Sequence, residues 1–255
     1  MIGCIIQARM GSKRLPGKVM KLVDEENPSL FHTISQLKFC KSLDKIIVAT
    51  TTLPEDNIIE KYLNELGVDI FKGSPDDVLD RYFRCAKHYE LSTVVRITAD
   101  CPLIDPDIVD HGIEIFKSGN HDYVTNTFPR TFPDGNETEI IAINALEKAW
   151  KNSILPSERE HVTPYFKNNS KSFQIKNFSH DVDISHLRWT VDYNEDLELV
   201  KILISKISIR PIHLENILNI LNSEPQLLEL NKNHKPNEGY EKSLENDKIF
   251  LNDHK

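Results

Sequence analysis

The chain has 255 residues, 27% of them charged, and a formal net charge of −8. That length suits one large α/β domain, or one domain with a sizeable insertion. The acidic balance argues against a general nucleic-acid binder, whose affinity comes from a broad basic surface. Cys4, Cys40, Cys85 and Cys101 lie far apart with no C-x-x-C pair, no apolar run has transmembrane length, and no signal peptide is evident. These features exclude a disulfide framework, a zinc ribbon and a membrane span, and the expectation is a cytoplasmic protein.

Ile2–Ala8 is an almost wholly apolar run, short and rich in β-branched residues, and reads as a buried parallel strand. Arg9-Met10-Gly11-Ser12-Lys13-Arg14-Leu15-Pro16-Gly17-Lys18 follows at once. A Gly-containing loop at the carboxyl end of a first strand lets backbone N–H groups approach a phosphate, and its cations supply charge for a triphosphate. The loop is neither a Walker A motif nor a dinucleotide fingerprint, because its Gly and Lys spacings differ from both.

Further along, Ser29–Cys40 reads as a helix and Lys45–Thr50 as a second buried strand. Asp56–Leu66 reads as an amphipathic helix stopped by Gly67. Val68–Phe71 is a third strand, Asp76–His88 a helix, Thr93–Thr98 a fourth strand, Asp107–Lys117 a helix and Asp122–Thr125 another strand. This alternation predicts a mostly parallel sheet with helices on both faces. The rhythm breaks at Thr127–Gly135, which carries two prolines and a glycine. Glu139–Ile143 and Phe173–Phe178 look like strands, Pro156–Thr163 is polar, and helices are expected over Ala145–Asn152, Glu195–Ile207 and Pro211–Leu221. Residues 127–188 therefore read as an insertion over the open edge of the sheet, within a domain spanning 1–230. The polar stretch 231–255 reads as a flexible tail.

Asp100 directly follows the fourth strand, where ligands bind in parallel sheets, and a carboxylate there suits Mg²⁺ or merely caps the turn before Pro102. Asp105 reads as a helix N-cap. Trp189-Thr190-Val191-Asp192 has the same form as the Asp100 region, a short apolar strand and then an Asp, so Asp192 is a candidate second metal ligand. Asp181-Val182-Asp183 matches the Asp-x-Asp of metal-dependent glycosyltransferases, a pattern common by chance. Gly73–Arg81 joins a strand to a helix, either as a base-reading turn or as an ordinary capped one. Glu158-Arg159-Glu160-His161 packs ionisable groups that suit a substrate pocket, a subunit contact or a solvated surface.

Together these segments resemble the cytidylyltransferases that make CMP-activated acidic sugars, such as the acylneuraminate and 3-deoxy-manno-octulosonate enzymes. The resemblance is nearest to the spore-coat polysaccharide biosynthesis (SpsF) branch. It rests on Ile6–Lys18, Gly73–Arg81, Arg96–Asp105, Thr131–Gly135, Glu158–Pro164 and Trp189–Val200, in that order, and spans roughly Met1 to Val200. It implies a Rossmann-like nucleotidyltransferase fold with a small dimerisation extension, and Mg²⁺-dependent transfer of CMP from CTP to a sugar with release of pyrophosphate. It implies that Arg9, Ser12, Arg14 and Lys18 hold the triphosphate. Gln7, Ala8, Gly11 and Thr98 would complete the nucleotide site, with Gly73 and Ser74 near the nucleoside. Asp100 and Asp192 would hold Mg²⁺, and catalysis would fall to Arg9, Arg14, Lys18 and Asp100. Asp134, Glu158, Arg159 and His161 would lie near the sugar or the interface of a homodimer. Two departures stand out: Asn136-Glu137-Thr138-Glu139 replaces an apolar residue and an Asp after the Asp-Gly turn, and Tyr193-Asn194 replaces Thr-Pro. The rival readings are a glycosyltransferase using Asp181 and Asp183, a non-catalytic nucleotide sensor, and the same chemistry with UTP.

Overall fold

The computed structural model describes residues 1–234 and 238–253. Strands β1 (Ile2–Gln7), β2 (Lys45–Thr51), β3 (Asp69–Gly73) and β4 (Thr93–Thr98) are parallel, in the spatial order β3-β2-β1-β4. Helices α1 (Ser29–Leu37), α2 (Asn57–Leu66), α3 (Val78–His88) and α4 (Pro106–Ser118) cross between and beyond them. The unbroken apolar character of β1 has a direct cause, because both of its faces are covered. Cys4 and Ile6 enter one core with Leu30, Ile34 and Leu37 of α1 and Val109 and Ile113 of α4. Ile5 enters the other core with Leu79 and Tyr82 of α3. The caps follow the expected chemistry. Gly67 ends α2 in the left-handed region at φ 64°, and Asp77 and Asp105 accept backbone N–H bonds at the starts of α3 and α4.

Beyond β4 the strand directions change. β5 (Tyr123–Thr125) and β6 (Glu139–Ala142) pair antiparallel, β6 also pairs antiparallel with β4, and β7 (Ile175–Asn177) runs parallel to β5 at the edge. The seven-stranded order is β3-β2-β1-β4-β6-β5-β7. The stretch 127–188 is therefore not laid over an open edge, as its composition suggested. It contributes β6 to the interior of the sheet, where Ile140 and Ile141 are fully buried, and its helix α5 (Ile143–Asn152) joins the second core through Leu146 and Ala149. Pro156–Thr163, read only as polar, is mostly helix α6 (Pro156–His161), and α7 (Pro164–Asn168) follows. Helices α8 (Asn194–Lys206) and α9 (Leu214–Ser223) lie close to their predicted bounds. Among the described residues no helix is long and apolar enough to cross a membrane.

The expected flexible tail is the second departure. Glu238–Asp253 forms helix α10, which packs on α6. Its anchor is polar, which is why apolar periodicity did not reveal it. Asp247 is buried and accepts from the Ser157 N–H (2.9 Å) and the Ser157 hydroxyl (2.5 Å), while Ser243 meets His161 Nε2 (2.9 Å) and donates to Glu160 (2.8 Å). Losing a buried acceptor costs about 1–3 kcal/mol. Asp247→Ala should therefore speed amide exchange across α10 by roughly 5- to 150-fold. Exchange across 238–253 as slow as in the parent protein would show that this contact does not hold the helix.

Candidate active site

The loop after β1 is closed by its own backbone and tied down at one point. The N–H groups of Ser12 (2.8 Å) and Gly17 (3.0 Å) both donate to the Met10 carbonyl, and the Met10 N–H donates to Asp56 Oδ1 at 2.6 Å. Asp56 is itself buried and takes the Thr51 hydroxyl, so the end of β2 anchors the loop. Lys18 opens a single 3-10 turn whose Val19 is buried, and this fixes the direction in which the lysine leaves the backbone. Gln7 and Thr98 lie side by side in the β1–β4 register, and Gln7 Oε1 is buried without a hydrogen-bond partner. Ala8 is buried, and the position a Cβ would take at Gly11 faces open space.

The segment before Asp192 is extended but joins no strand ladder, contrary to the strand expected there. It runs instead across two loop ends. The Trp189 (2.8 Å) and Thr190 (3.2 Å) N–H groups donate to the Asp134 carbonyl, and the Val191 N–H donates to the Asp100 carbonyl at 2.8 Å. Gly135 makes this crossing possible. Its φ is +115°, and a Cβ there would lie 2.9 Å from Thr190 N and from the Trp189 ring. Three acidic residues remote in sequence, Asp100, Asp134 and Asp192, are thereby gathered beside the β1 loop.

Cations separate them. The Lys18 ammonium donates to Asp100 Oδ2 and to Asp192 Oδ1 (2.7 Å). Arg14 donates to Asp192 Oδ1 at 2.5 Å, and Arg188 donates to Asp192 Oδ2 at 3.0 Å. Burial alone would raise the Asp192 carboxyl, but Lys18, Arg14 and Arg188 overcome it and hold it down at about 2. Burial likewise opposes the charge on Lys18, and Asp100 and Asp192 reverse that effect, so its pKa is raised. Carboxylate oxygens that both reach one ammonium are close enough to share one cation. Arg14 and Lys18 beside them supply the charge that a polyphosphate needs.

The sequence profile of the family described as Cytidylyltransferase matches residues 3–246. The chain belongs to the cytidylyltransferase family. It is 31% identical over 228 residues to the spore coat polysaccharide biosynthesis protein SpsF of Bacillus subtilis, covering 87% of this chain and 94% of that one. It is 30% identical over 170 residues to a 3-deoxy-manno-octulosonate cytidylyltransferase of Chlorobium chlorochromatii, covering 62% and 66% respectively. The solved structure of a cytidylyltransferase from Leptospira borgpetersenii serovar Hardjo-bovis superposes with a TM-score of 0.86 at 34% identity, over 92% of this chain and 98% of that one. Membership in this family makes the chain a nucleotidyltransferase with the expected Rossmann-like fold. Asp181 and Asp183 of the rival glycosyltransferase reading are exposed, and Asp183 caps the Ser185 N–H at 3.0 Å.

The other expected residues divide into three places. Arg9 reaches Glu160 of α6 at 4.0 Å, and the Ser12 hydroxyl accepts from the Leu15 N–H within the loop. Gly73 ends β3 and Ser74 follows it, where the Ser74 carbonyl accepts from the buried Arg81 at 3.1 Å. Glu158, Arg159 and His161 are committed to holding α6. Glu158 accepts from Asn168, Arg159 reaches Trp150 O, Ser153 O and Asp77, and His161 meets Ser243. Asp134 alone of that expected acceptor group lies in the carboxylate cluster, paired with Arg188 at 2.5 Å.

Several residues of the cluster carried no sequence signal. Arg188 stands just before the Trp189–Val200 block and Asp56 in an ordinary helix start. Arg130 pairs with Glu137 (2.9 Å) and with Asp134 (3.5 Å), and Arg96 pairs with Glu139 at 2.5 Å beside the Tyr123 hydroxyl. The departure at Asn136–Glu139 and the neighbouring Thr131–Gly135 block pointed to this region without naming these pairs. Burial first, and the Asp134 charge second, push the Glu137 carboxyl up to about 8. A carboxyl raised in the folded state stabilises the protein below its unfolded value of 4.5 and loses that contribution as pH rises toward 8. Glu137→Gln should therefore gain stability relative to the parent between pH 5.5 and 8, by up to about 1.4 kcal/mol per pH unit. Urea unfolding that gives a pH-independent difference would refute this.

Proposed function

We propose that the protein is a Mg²⁺-dependent cytidylyltransferase that transfers CMP from CTP to an acidic sugar and releases pyrophosphate, for cell-surface glycan synthesis. The observation that carries this reading is the convergence of Asp100, Asp192, Lys18 and Arg14 at the carboxyl ends of β1 and β4. Two hard oxygen donors already bridged by one ammonium fit Mg²⁺, which takes one or two carboxylates and completes its shell with phosphate and water. Mg²⁺ would neutralise the phosphate charge that grows as the acceptor oxygen attacks in line at the α-phosphorus. Lys18 and Arg14 do the remaining work on this side. They bind the phosphates, orient them, and offset the charge of the departing pyrophosphate. Such transfer needs no covalent intermediate, and these residues include no nucleophile–base pair.

Arg96 is paired with Glu139 and Arg130 with Glu137, and Lys167 beside them, hydrogen-bonded to Thr127, supplies positive charge that suits a carboxylated sugar. The octulosonate named in the Chlorobium relative is of that class. A cytoplasmic homodimer belongs to the same reading. The exposure of Phe128, Ile154 and Val182, all within 127–188, supports a subunit contact there.

Incubation with each of the four nucleoside triphosphates and a panel of acidic sugars should release pyrophosphate only with CTP, and release with UTP alone would replace the base assignment. Asp100→Asn is nearly isosteric and should keep the fold while cutting turnover by several orders of magnitude, because the ion that offsets the charge on the reacting phosphate would then be misplaced. Arg14→Ala should weaken CTP binding by about 1.5–3 kcal/mol in calorimetry. Near-normal turnover by Asp100→Asn at saturating Mg²⁺ would sink the proposal.

A further inference from the structure

Arg188 is the most heavily engaged cation of the cluster, and nothing in the nucleotidyl-transfer scheme uses it directly. Its side chain is 8% exposed and meets three carboxylates at once. One terminal nitrogen donates to Asp134 (2.5 Å), the other to Asp192 Oδ2 (3.0 Å) and Asp196 Oδ2 (3.1 Å), and Nε donates to Asp196 Oδ1 (3.0 Å). Asp196, fully buried, also accepts from the backbone N–H groups of Asp192 (2.9 Å) and Tyr193 (3.0 Å). Asn231 closes the group from the far side, donating to Asp196 (2.9 Å) and to the Arg188 carbonyl (3.1 Å). The Arg188–Asp196 pair thus grips Asp192 by its backbone and by one carboxylate oxygen.

The two oxygens of Asp192 are divided accordingly. Oδ2 faces the buried guanidinium, and Oδ1 faces Lys18 and Arg14 in the cleft. Without Arg188, Asp192 would stand beside Asp134 and Asp196 with no cation on its inner side, and like-charge repulsion would leave its rotation unfixed. We propose that Arg188 is a positioning residue. It sets the rotation of the Asp192 carboxylate so that a single oxygen is presented to the metal, and it links that rotation to the 130–137 turn through Asp134. The proposal rests on the assignment of Asp192 as a metal ligand.

Arg188→Lys keeps the charge and removes the fork that meets three carboxylates at once. The probe is Mn²⁺ titrated into the CTP-bound protein without acceptor, followed by loss of the free-ion paramagnetic resonance signal and corrected for Mn²⁺ binding to CTP alone. Arg188→Lys should weaken Mn²⁺ binding at least threefold, while CTP affinity measured in EDTA stays within twofold, since Arg14 and Lys18 are untouched. A merely structural role would leave the metal affinity alone or lower both affinities together, and either outcome overturns the proposal. Should Arg188→Lys fail to fold, Asp134→Asn removes one of the three anchors and carries the same threefold criterion. Asp192→Asn, measured alongside, separates the two levels. If it too leaves Mn²⁺ binding unchanged, the ligand assignment fails and this proposal with it. If it abolishes binding while the Arg188 and Asp134 variants leave it intact, the positioning role alone is wrong.

Discussion

Two carboxylates in a half-buried cleft repel each other unless a cation stands between them, and the centre of this molecule is organised around that requirement. Charges here alternate along one connected chain: Asp100, Lys18, Asp192, Arg188, Asp134, Arg130, Glu137. Each ion has lost part of its hydration, and each recovers it only through its neighbours. The chain draws its members from the β1 loop, the end of β4, the 130–137 turn and the segment before α8. The backbone bonds that gather these loops, Val191 to Asp100 and Trp189 to Asp134, are therefore as necessary to the site as the charges themselves.

The same alternation bears on how a triphosphate enters. Lys18 and Arg14 are not free, because Asp192 holds both. Arg14 also lies 3.9 Å from Glu238 at the start of α10, and Arg9 lies 4.0 Å from Glu160. A polyphosphate must therefore exchange with carboxylates for these cations. On the proposed reading, Asp100 and Asp192 would hold a divalent ion that accompanies it, leaving the Lys18 ammonium and the Arg14 guanidinium to the phosphates. The exchange then swaps one set of charge pairs for another and strands no buried charge. A bare triphosphate brings no such replacement for Lys18 between Asp100 and Asp192. On the proposed reading, this pairing of charges would favour the metal complex over the free nucleotide.

The fold was legible where a single period governs burial. Ile2–Gln7, Lys45–Thr51 and Thr93–Thr98 have mostly apolar centres because helices cover both faces, and their predicted bounds fall within one residue of those observed. Strand order was not legible. Nothing in Glu139–Ala142 says that it enters between β4 and β5 rather than at an edge, since its partners are chosen by long-range packing. Helix α10 was missed because Ser243 and Asp247 dock it through hydrogen bonds, which leave no hydrophobic stripe to count. In the site, Asp100 and Asp192 could be read because each follows a short apolar run. Arg188 and Asp56 could not, because their importance lies in which distant atoms they reach.

The acceptor side shows why a motif match stops short of a substrate. The 136–139 segment carries two glutamates with opposite fates. Glu139 is bound by Arg96 and the Tyr123 hydroxyl, and Arg96 holds its carboxyl below the usual range against the opposing effect of burial. Glu137 shares its surroundings with Asp134, and burial together with that charge pushes it up. Two residues apart, one carboxylate is a fixed anion and the other titrates near neutrality. The difference comes from the partner each one meets, not from the residue type. Lys167, whose own pKa burial lowers, lies among these groups with Thr127 as its hydrogen-bond partner. On the proposed reading, an acceptor carboxylate brought beside Lys167 would favour its charged form against the effect of burial. The proposed acceptor side thus holds a cation whose charge burial disfavours beside anions already paired, a polarity that would suit the acidic sugar of the proposed reading.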